Sequence, residues 1–224
     1  MYTEHIPIQR STLLRKTDSR ELVIEIDQKH LKDIFLINGS NFKTEGIKTS
    51  DLLIKPYTHY MIINRGKYFL NIQYNQDIFD HQVIYDPYKY ELSQKKLLEP
   101  DWFIERYRIP KGYIDTLPKW YSFKFTYTNY NLIFIRPEFG LSIQIHKQRN
   151  ETWEILEGKP IIITGNTVYY FVDTGFICQN PINTYHSIIN PNKEEDNFVL
   201  IKERWNGDFD ESDIDRVFNP NQYQ

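Results

Sequence analysis

The chain is poor in cysteine: Cys178 is the only one in 224 residues. A single thiol excludes an internal disulfide framework and fits a reducing compartment. There is no surplus of positive charge either. Against 27 Lys and Arg stand 30 Asp and Glu, a formal net charge of −3, which gives no basic stripe for nucleic acid. No apolar run approaches the ~18 residues that would span a bilayer. The opening Met1-Tyr2-Thr3-Glu4-His5-Ile6 lacks the basic start and apolar stretch of a signal peptide. These absences lead us to expect a cytoplasmic protein with neither nucleic-acid nor membrane partners. Glycine is scarce, nine in all, and neither a low-complexity tract nor an internal repeat is found.

What is abundant is aromatic. Seventeen Tyr and 14 Phe suit strands, whose pleated surface favours aromatic and β-branched side chains. The length admits one large β domain or two small ones, with core enough to need no staples. Residues 1–20 are polar and mixed and read as an arm. Strand candidates follow at Leu22–Ile26, Asp51–Tyr57, His59–Asn64, Lys67–Tyr74 and Gln82–Tyr85, with Arg65-Gly66 as a hairpin turn. His30–Ile37 is short and ambiguous. Tyr88–Pro100 reads as a short helix or a linker, stopped by Pro100-Asp101. With Pro110-Lys111-Gly112 and Pro118 beyond it, the boundary between halves is expected near 100–118.

The second half is more readable. Trp120–Tyr127, Leu132–Arg136, Leu141–His146 and Trp153–Leu156 are strand candidates, and Ile161–Thr164 with Thr167–Phe171 forms a hairpin about Gly165. Phe198-Val199-Leu200-Ile201 is apolar on both faces, as a central buried strand would be. Many short strands separated by turns point to an all-β jelly-roll barrel or sandwich. The first half is either a degenerate second jelly roll or a set of strands extending the first.

Two runs in that second half fit together. One reads Glu138, Gln144, His146, Glu151, Gly158; the other Gly175, Pro181, Asn183, His186, Asn190. Gln144 and His146 share one face of a strand, because strand side chains alternate. Glu151 and His186 complete a ring of nitrogen and oxygen donors if their strands face the same interior. Gln148, two residues beyond His146, is the rival for the fourth position. His5, His30, His59 and His81 have no such company and read as packed or surface residues, and Cys178 as a small buried one.

The spacing resembles the two-part cupin signature, G-x5-H-x-H-x3,4-E-x6-G followed by G-x5-P-x-G-x2-H-x3-N. Glu138 and Asn183 stand where that signature has Gly, and Gln144 where it has the first His. Within the cupins, Leu141-Ser142-Ile143-Gln144-Ile145-His146 is similar to the L-S-I-Q-x-H of the phosphomannose isomerases, and Arg149, Glu151 and Trp153 to their R-A-E-H-W. Asn206-Gly207-Asp208-Phe209 and Asp213-Ile214-Asp215-Arg216 resemble that family's S-G-x-Y and D-D-I-V-R. The likeness covers residues 117–224 and implies a cupin metal-binding domain there, beside a β-rich region, 1–110, of unassigned role.

Two imidazoles, a carboxylate and an amide oxygen suit a divalent ion, Zn²⁺ first, with Fe²⁺, Mn²⁺ and Ni²⁺ compatible. Four protein donors would leave room for water or a substrate oxygen. The resemblance implies aldose–ketose isomerisation of a phosphorylated sugar. Glu203, matching the Glu of the family's L-I-E-V-Q, is then the acid–base group, and Arg149 and Arg216 are candidates for gripping substrate phosphate. Departures exist: the family's three consecutive His become His146-Lys147-Gln148, Lys202 and Arg204 flank Glu203, and a terminal Y-G-R is absent. Alternatives are a sugar-nucleotide isomerase or epimerase, an oxygenase using His146, Glu151 and His186 for Fe²⁺, and a sugar-binding module without turnover. A homodimer is left open.

Overall fold

A computed structural model describes residues 2–207 and 213–222. Asp208 and Phe209 of the Asn206–Phe209 motif lie outside the described residues. The chain divides into two compact units, one of residues up to Asp86 with Gly165–Tyr169, the other of 87–164 with 170 onward.

The first unit holds β1 (Tyr2–Ile6), β2 (Leu14–Lys16), β3 (Leu22–Ile26), β4 (Ile34–Asn38), β5 (Asn41–Lys43), β6 (Asp51–Ile54), β7 (His59–Asn64), β8 (Leu70–Tyr74) and β9 (Gln82–Tyr85). The order β1-β8-β3-β6 makes one sheet, and β5-β4-β7-β2-β9 run side by side in another. Ile6, Leu22, Ile24, Ile62, Leu70 and Ile72 pack into a core belonging to this unit. Two expectations fail here. Residues 2–6 are no arm, because β1 pairs antiparallel with β8 from Tyr2↔Tyr74 to Ile6↔Leu70. Arg65-Gly66 is a corner between sheets and not a hairpin turn, since β7 and β8 lie in different sheets. Asn64 fixes that corner by accepting from the Gly66 amide and donating to the Tyr68 carbonyl. The ambiguous His30–Ile37 segment is a 3₁₀ turn, Gln28–Asp33, running into β4.

The second unit opens with the helix α1 (Pro100–Tyr107). Sequence reading took Pro100 for a stop, whereas it starts the helix: at the first turn a missing N–H costs nothing and the fixed φ is already helical. Then come β10 (Asp115–Pro118), β11 (Ser122–Thr126), β12 (Asn131–Ile135), β13 (Ile143–His146), β14 (Arg149–Glu157) and β15 (Ile161–Thr164). β16 (Thr167–Tyr169) belongs to the first unit, and β17 (Ile177–Asn180), β18 (His186–Ile189), β19 (Val199–Gly207) and β20 (Ile214–Phe218) complete the second. The strands order as β10-β11-β12-β19-β14-β17 in one curled sheet and as β20-β13-β18-β15 facing it, every pairing antiparallel.

β19 explains how the barrel is built. Val199 and Ile201 point inward to a core with Ile133, Trp153, Ile155, Ile162 and Ile188. Phe198 and Leu200 point the other way, into an aromatic cluster where α1 inserts Phe103 among Phe123, Phe125 and Phe134. A strand apolar on both faces is thus buried on both. Glu203 shares the parity of Val199 and Ile201 and is carried inward with them.

Candidate metal centre

Three inward-facing strands bring the donors together. β13 supplies Gln144 and His146, β14 supplies Arg149 and Glu151, and β18 supplies His186, which lies directly opposite Gln144. His146 and His186 therefore face the same interior, with ring centroids 5.0 Å apart. His146 Nε2 is 3.0 Å from one Glu151 oxygen and His186 Nε2 is 3.5 Å from the other. The ligand atoms of the three residues all lie within 4.8 Å of one another. Donors around a tetrahedral ion with bonds of about 2.1 Å sit about 3.4 Å apart, so the observed spacings bracket that value.

The chain itself orients these groups. His186 Nδ1 meets the Thr184 carbonyl at 2.9 Å, which puts its proton on Nδ1 and turns the Nε2 lone pair to the centre. Ser142 donates to Gln144 Oε1 at 2.9 Å, leaving Gln144 Nε2 3.5 Å from His186 Nε2; turning that amide over would aim its oxygen at the ring. Asp213 accepts from the backbone amides of Lys147 and Gln148. It thereby clamps the turn between the His146 strand and the Glu151 strand. Gln148, the rival fourth ligand, is exposed on that turn.

A buried carboxylate oxygen without a partner belongs to this centre. Among the described residues, Glu151 Oε2 has no hydrogen bond although the residue is buried and His186 Nε2 lies 3.5 Å away, and such an atom is costly unless something meets it. Burial raises the Glu151 carboxyl, but the His146 hydrogen bond and the neighbouring charges outweigh it and hold the group well below the usual carboxylate range. Burial lowers His186 to about 4, so at neutral pH it presents a lone pair and not a charge. Two imidazoles and an ionised carboxylate at these distances fit a divalent cation.

Arg149 was a candidate for substrate or phosphate recognition. It is buried, donating from Nε to Glu151 Oε1 at 2.9 Å with Nη2 3.4 Å from His146 Nε2. Glu203 is buried too. Asn131 Nδ2 donates to its Oε1 at 2.7 Å and Trp153 Nε1 to its Oε2 at 3.2 Å. Burial, with the charge of Glu151, pushes its carboxyl up to about 8. Glu203, Gln144, Glu151 and Trp153 line one cavity of about 80 Å³, room for several waters at ~10–15 Å³ each. Arg216, opposite Gln144 in the β13–β20 pair, lies exposed at its edge. Sequence reading missed Asn131, which becomes legible only from the register Asn131↔Glu203, and Lys119 and Lys124, which also line the cavity.

The signature's glycine positions share one backbone property. Gly158 and Gly175 have φ of +88°, and Glu138 and Asn183, which replace Gly, have φ of +66° and +60°. The turns are left-handed whether Gly, Glu or Asn occupies the position. Asn tolerates it, and Glu138 is anchored by Lys89 at 2.6 Å and Tyr90 at 2.6 Å. At Gly158 the constraint is tighter, since an added Cβ would lie 2.8 Å from Val199 Cγ2.

A curled antiparallel barrel here encloses two histidines and a carboxylate that could hold a metal ion. The chain belongs to the mannose-6-phosphate isomerase C-terminal family, whose pattern matches residues 102–219, more than half of it. Among solved structures it is similar to a cupin-superfamily sugar phosphate isomerase from Silicibacter pomeroyi, at 13% identity and a TM-score of 0.34 over 39% of this chain and 60% of that one. It is also similar to the capsular polysaccharide assembling protein CapF from Staphylococcus aureus, at 15% identity and 0.37 over 56% and 34%. A third is a salicylate 1,2-dioxygenase from Pseudaminobacter salicylatoxidans, at 6% and 0.30 over 91% and 69%. The chain thus spans less than two thirds of the first two. No curated protein matches it in sequence. No helix among the described residues is long and apolar enough to cross a membrane.

Proposed function

We propose that residues 117–224 form a metal-binding domain that isomerises a sugar phosphate between aldose and ketose, with mannose 6-phosphate the first substrate to try. The observation that carries this reading is Glu203, a buried acid opening into the same cavity as Gln144 and Glu151. In this reading Gln144, His146, Glu151 and His186 hold the ion, zinc before iron, manganese or nickel. When bound, the ion would supply Lewis-acid polarisation of the substrate's carbonyl and hydroxyl oxygens.

The remaining work falls to side chains. Glu203 takes the proton from C2 and returns it to C1, and a pKa near neutrality suits a group that must both accept and give. Asn131 and Trp153 fix the two carboxyl oxygens and so aim them. Arg149 holds Glu151 in its ligating pose through the Nε hydrogen bond. Arg216, exposed beside Gln144, is available to the phosphate.

The test is isotopic. Zinc-loaded protein incubated with mannose 6-phosphate in deuterium oxide should place deuterium at C1 or C2 of the recovered sugar. Glu203→Gln should suppress this with metal content unchanged. Neither isomerisation nor deuterium uptake across hexose and pentose phosphates would end the isomerase reading. A second reading has one observation in its favour: His146, Glu151 and His186 also compose the two-histidine, one-carboxylate triad of Fe²⁺ oxygenases. Anaerobic metal analysis of the purified chain separates the two, iron favouring the oxygenase.

A further inference from the structure

Asn180 is a buried amide whose polar atoms meet nothing. It is 1% exposed, and among the described residues neither its Nδ2 nor its Oδ1 has a hydrogen-bond partner. It stands directly opposite Glu151 across β17 and β14, two residues from Cys178, which stands opposite Trp153. Cys178 and Trp153 share the inner core, while Ile177 and Gln179 are exposed. By strand alternation Asn180 therefore faces the interior, beside Glu151. β14 runs between β19 and β17, so Glu203 and Asn180 flank it from opposite sides. The two-part signature leaves this position free, as the last of the five unspecified residues between Gly175 and Pro181. Its backbone is nonetheless held in place. Pro181 favours an extended residue before it, and the loop beyond is tied to both ligand-bearing strands. The Ile182 amide donates to Asn150 Oδ1 at 2.8 Å and the Asn183 amide to the His146 carbonyl at 2.7 Å.

We propose that Asn180 is a positioning residue for the metal centre: its Nδ2 donates to Glu151 Oε2 in the loaded protein and fixes the carboxylate oxygen that Arg149 and His146 leave free. The proposal rests on the reading that Glu151 holds an ion. Glu151 Oε1 already meets Arg149 Nε at 2.9 Å and His146 Nε2 at 3.0 Å, whereas Oε2 has no hydrogen bond. Directly opposed residues on antiparallel strands have Cβ atoms about 4.5–5.5 Å apart. The Asn180 amide therefore reaches Oε2 by side-chain torsion, without backbone movement. A carboxylate oxygen accepts from two directions, so one serves the ion and the other the amide. A neutral donor suits this place, because a second cation beside Glu151 would repel the metal. Two orphaned amide atoms destabilise the metal-free chain, and the hydrogen bond to Glu151 offsets this in the loaded one. Donors behind a ligand in this way orient it and raise metal affinity.

Zinc affinity and metal-free stability, measured side by side, test this without requiring turnover. Zinc binding to the full chain is followed by competition with a chromophoric chelator, and stability by urea denaturation after chelator treatment. Asn180→Leu keeps the volume and removes both amide atoms. It should weaken zinc on the order of tenfold or more and leave the metal-free urea midpoint equal or higher, since the orphaned atoms are gone. A purely structural Asn180 would instead lower that midpoint. Asn180→Ala should weaken zinc in the same way, and serves if the Leu variant does not fold. With Glu151→Ala already in place, Asn180→Leu should change zinc affinity by less than about threefold, because the partner carboxylate is gone. A full loss in that background, or zinc affinity within about twofold of wild type in a folded Asn180→Leu or Asn180→Ala chain, overturns the proposal. Wild-type chain that takes up no zinc ends the metal-centre reading and the role of Asn180 with it. Weakened zinc in the Asn180 variants of a protein that isomerises nothing ends the isomerase reading alone and leaves Asn180 in its role.

Discussion

Glu203 carries a consequence that can be read without knowing the substrate. Its carboxyl is raised from 4.5 to about 8, first by burial and then by the charge of Glu151. An acid whose folded pKa is raised binds more protons in the folded state, so its stabilisation is complete below pH 4.5 and is lost as pH rises through 8. His186 and His59, lowered to about 4 mainly by burial, act in the opposite sense, their stabilisation growing up to about pH 6.5. The Cys178 thiol, pushed by burial to about 12 from 9.0, enters only above pH 9. Between pH 6.5 and 8 the Glu203 effect is therefore exposed. At about 1.4 kcal/mol per pH unit, tapering near the folded pKa, it amounts to roughly 1.5–2 kcal/mol lost across that window. Urea denaturation of chelator-treated protein at half-unit intervals measures it. Glu203→Gln should flatten the decline. At pH 6 the same variant should be less stable by about 1–3 kcal/mol, because an amide presents its NH₂ to one of the two donors, Asn131 Nδ2 and Trp153 Nε1, and leaves it unpaired. An equal decline in wild type and Glu203→Gln would refute the account of a buried, protonated Glu203.

The metal and the turns give further expectations. Zinc should raise the melting temperature of the wild type by mass action, and His186→Ala should abolish most of that rise in a thermal melt with and without chelator. Asn183→Gly should stabilise by up to about 1 kcal/mol, since the φ of +60° costs Asn and not Gly. Gly158→Ala should destabilise by about 1–3 kcal/mol, because the new methyl meets Val199 at 2.8 Å on a backbone of φ +88°. Denaturant midpoints of both variants, at a pH away from the Glu203 window, check the pair.

The sequence alone determined the strand-rich class, the inward pair Gln144 and His146, and the family, because alternation and fixed spacing are local properties that survive in one dimension. It also carried the parity of Glu203 with Val199 and Ile201, which put the carboxyl inside. It misread Pro100, since a proline that stops one helix and one that starts the next look alike without the chain's direction of packing. It misread Arg65-Gly66, since a corner between sheets and a hairpin turn use the same residues and differ only in which strand comes to lie alongside. Tertiary structure alone decided that Asn131 and Trp153 hold Glu203, that Asp213 clamps the turn beside His146, that Arg149 is buried on Glu151 and that Lys124 and Arg216 line one cavity. Each of these joins strands distant in sequence, and strand order and register are set by how the whole barrel closes, which no local pattern contains.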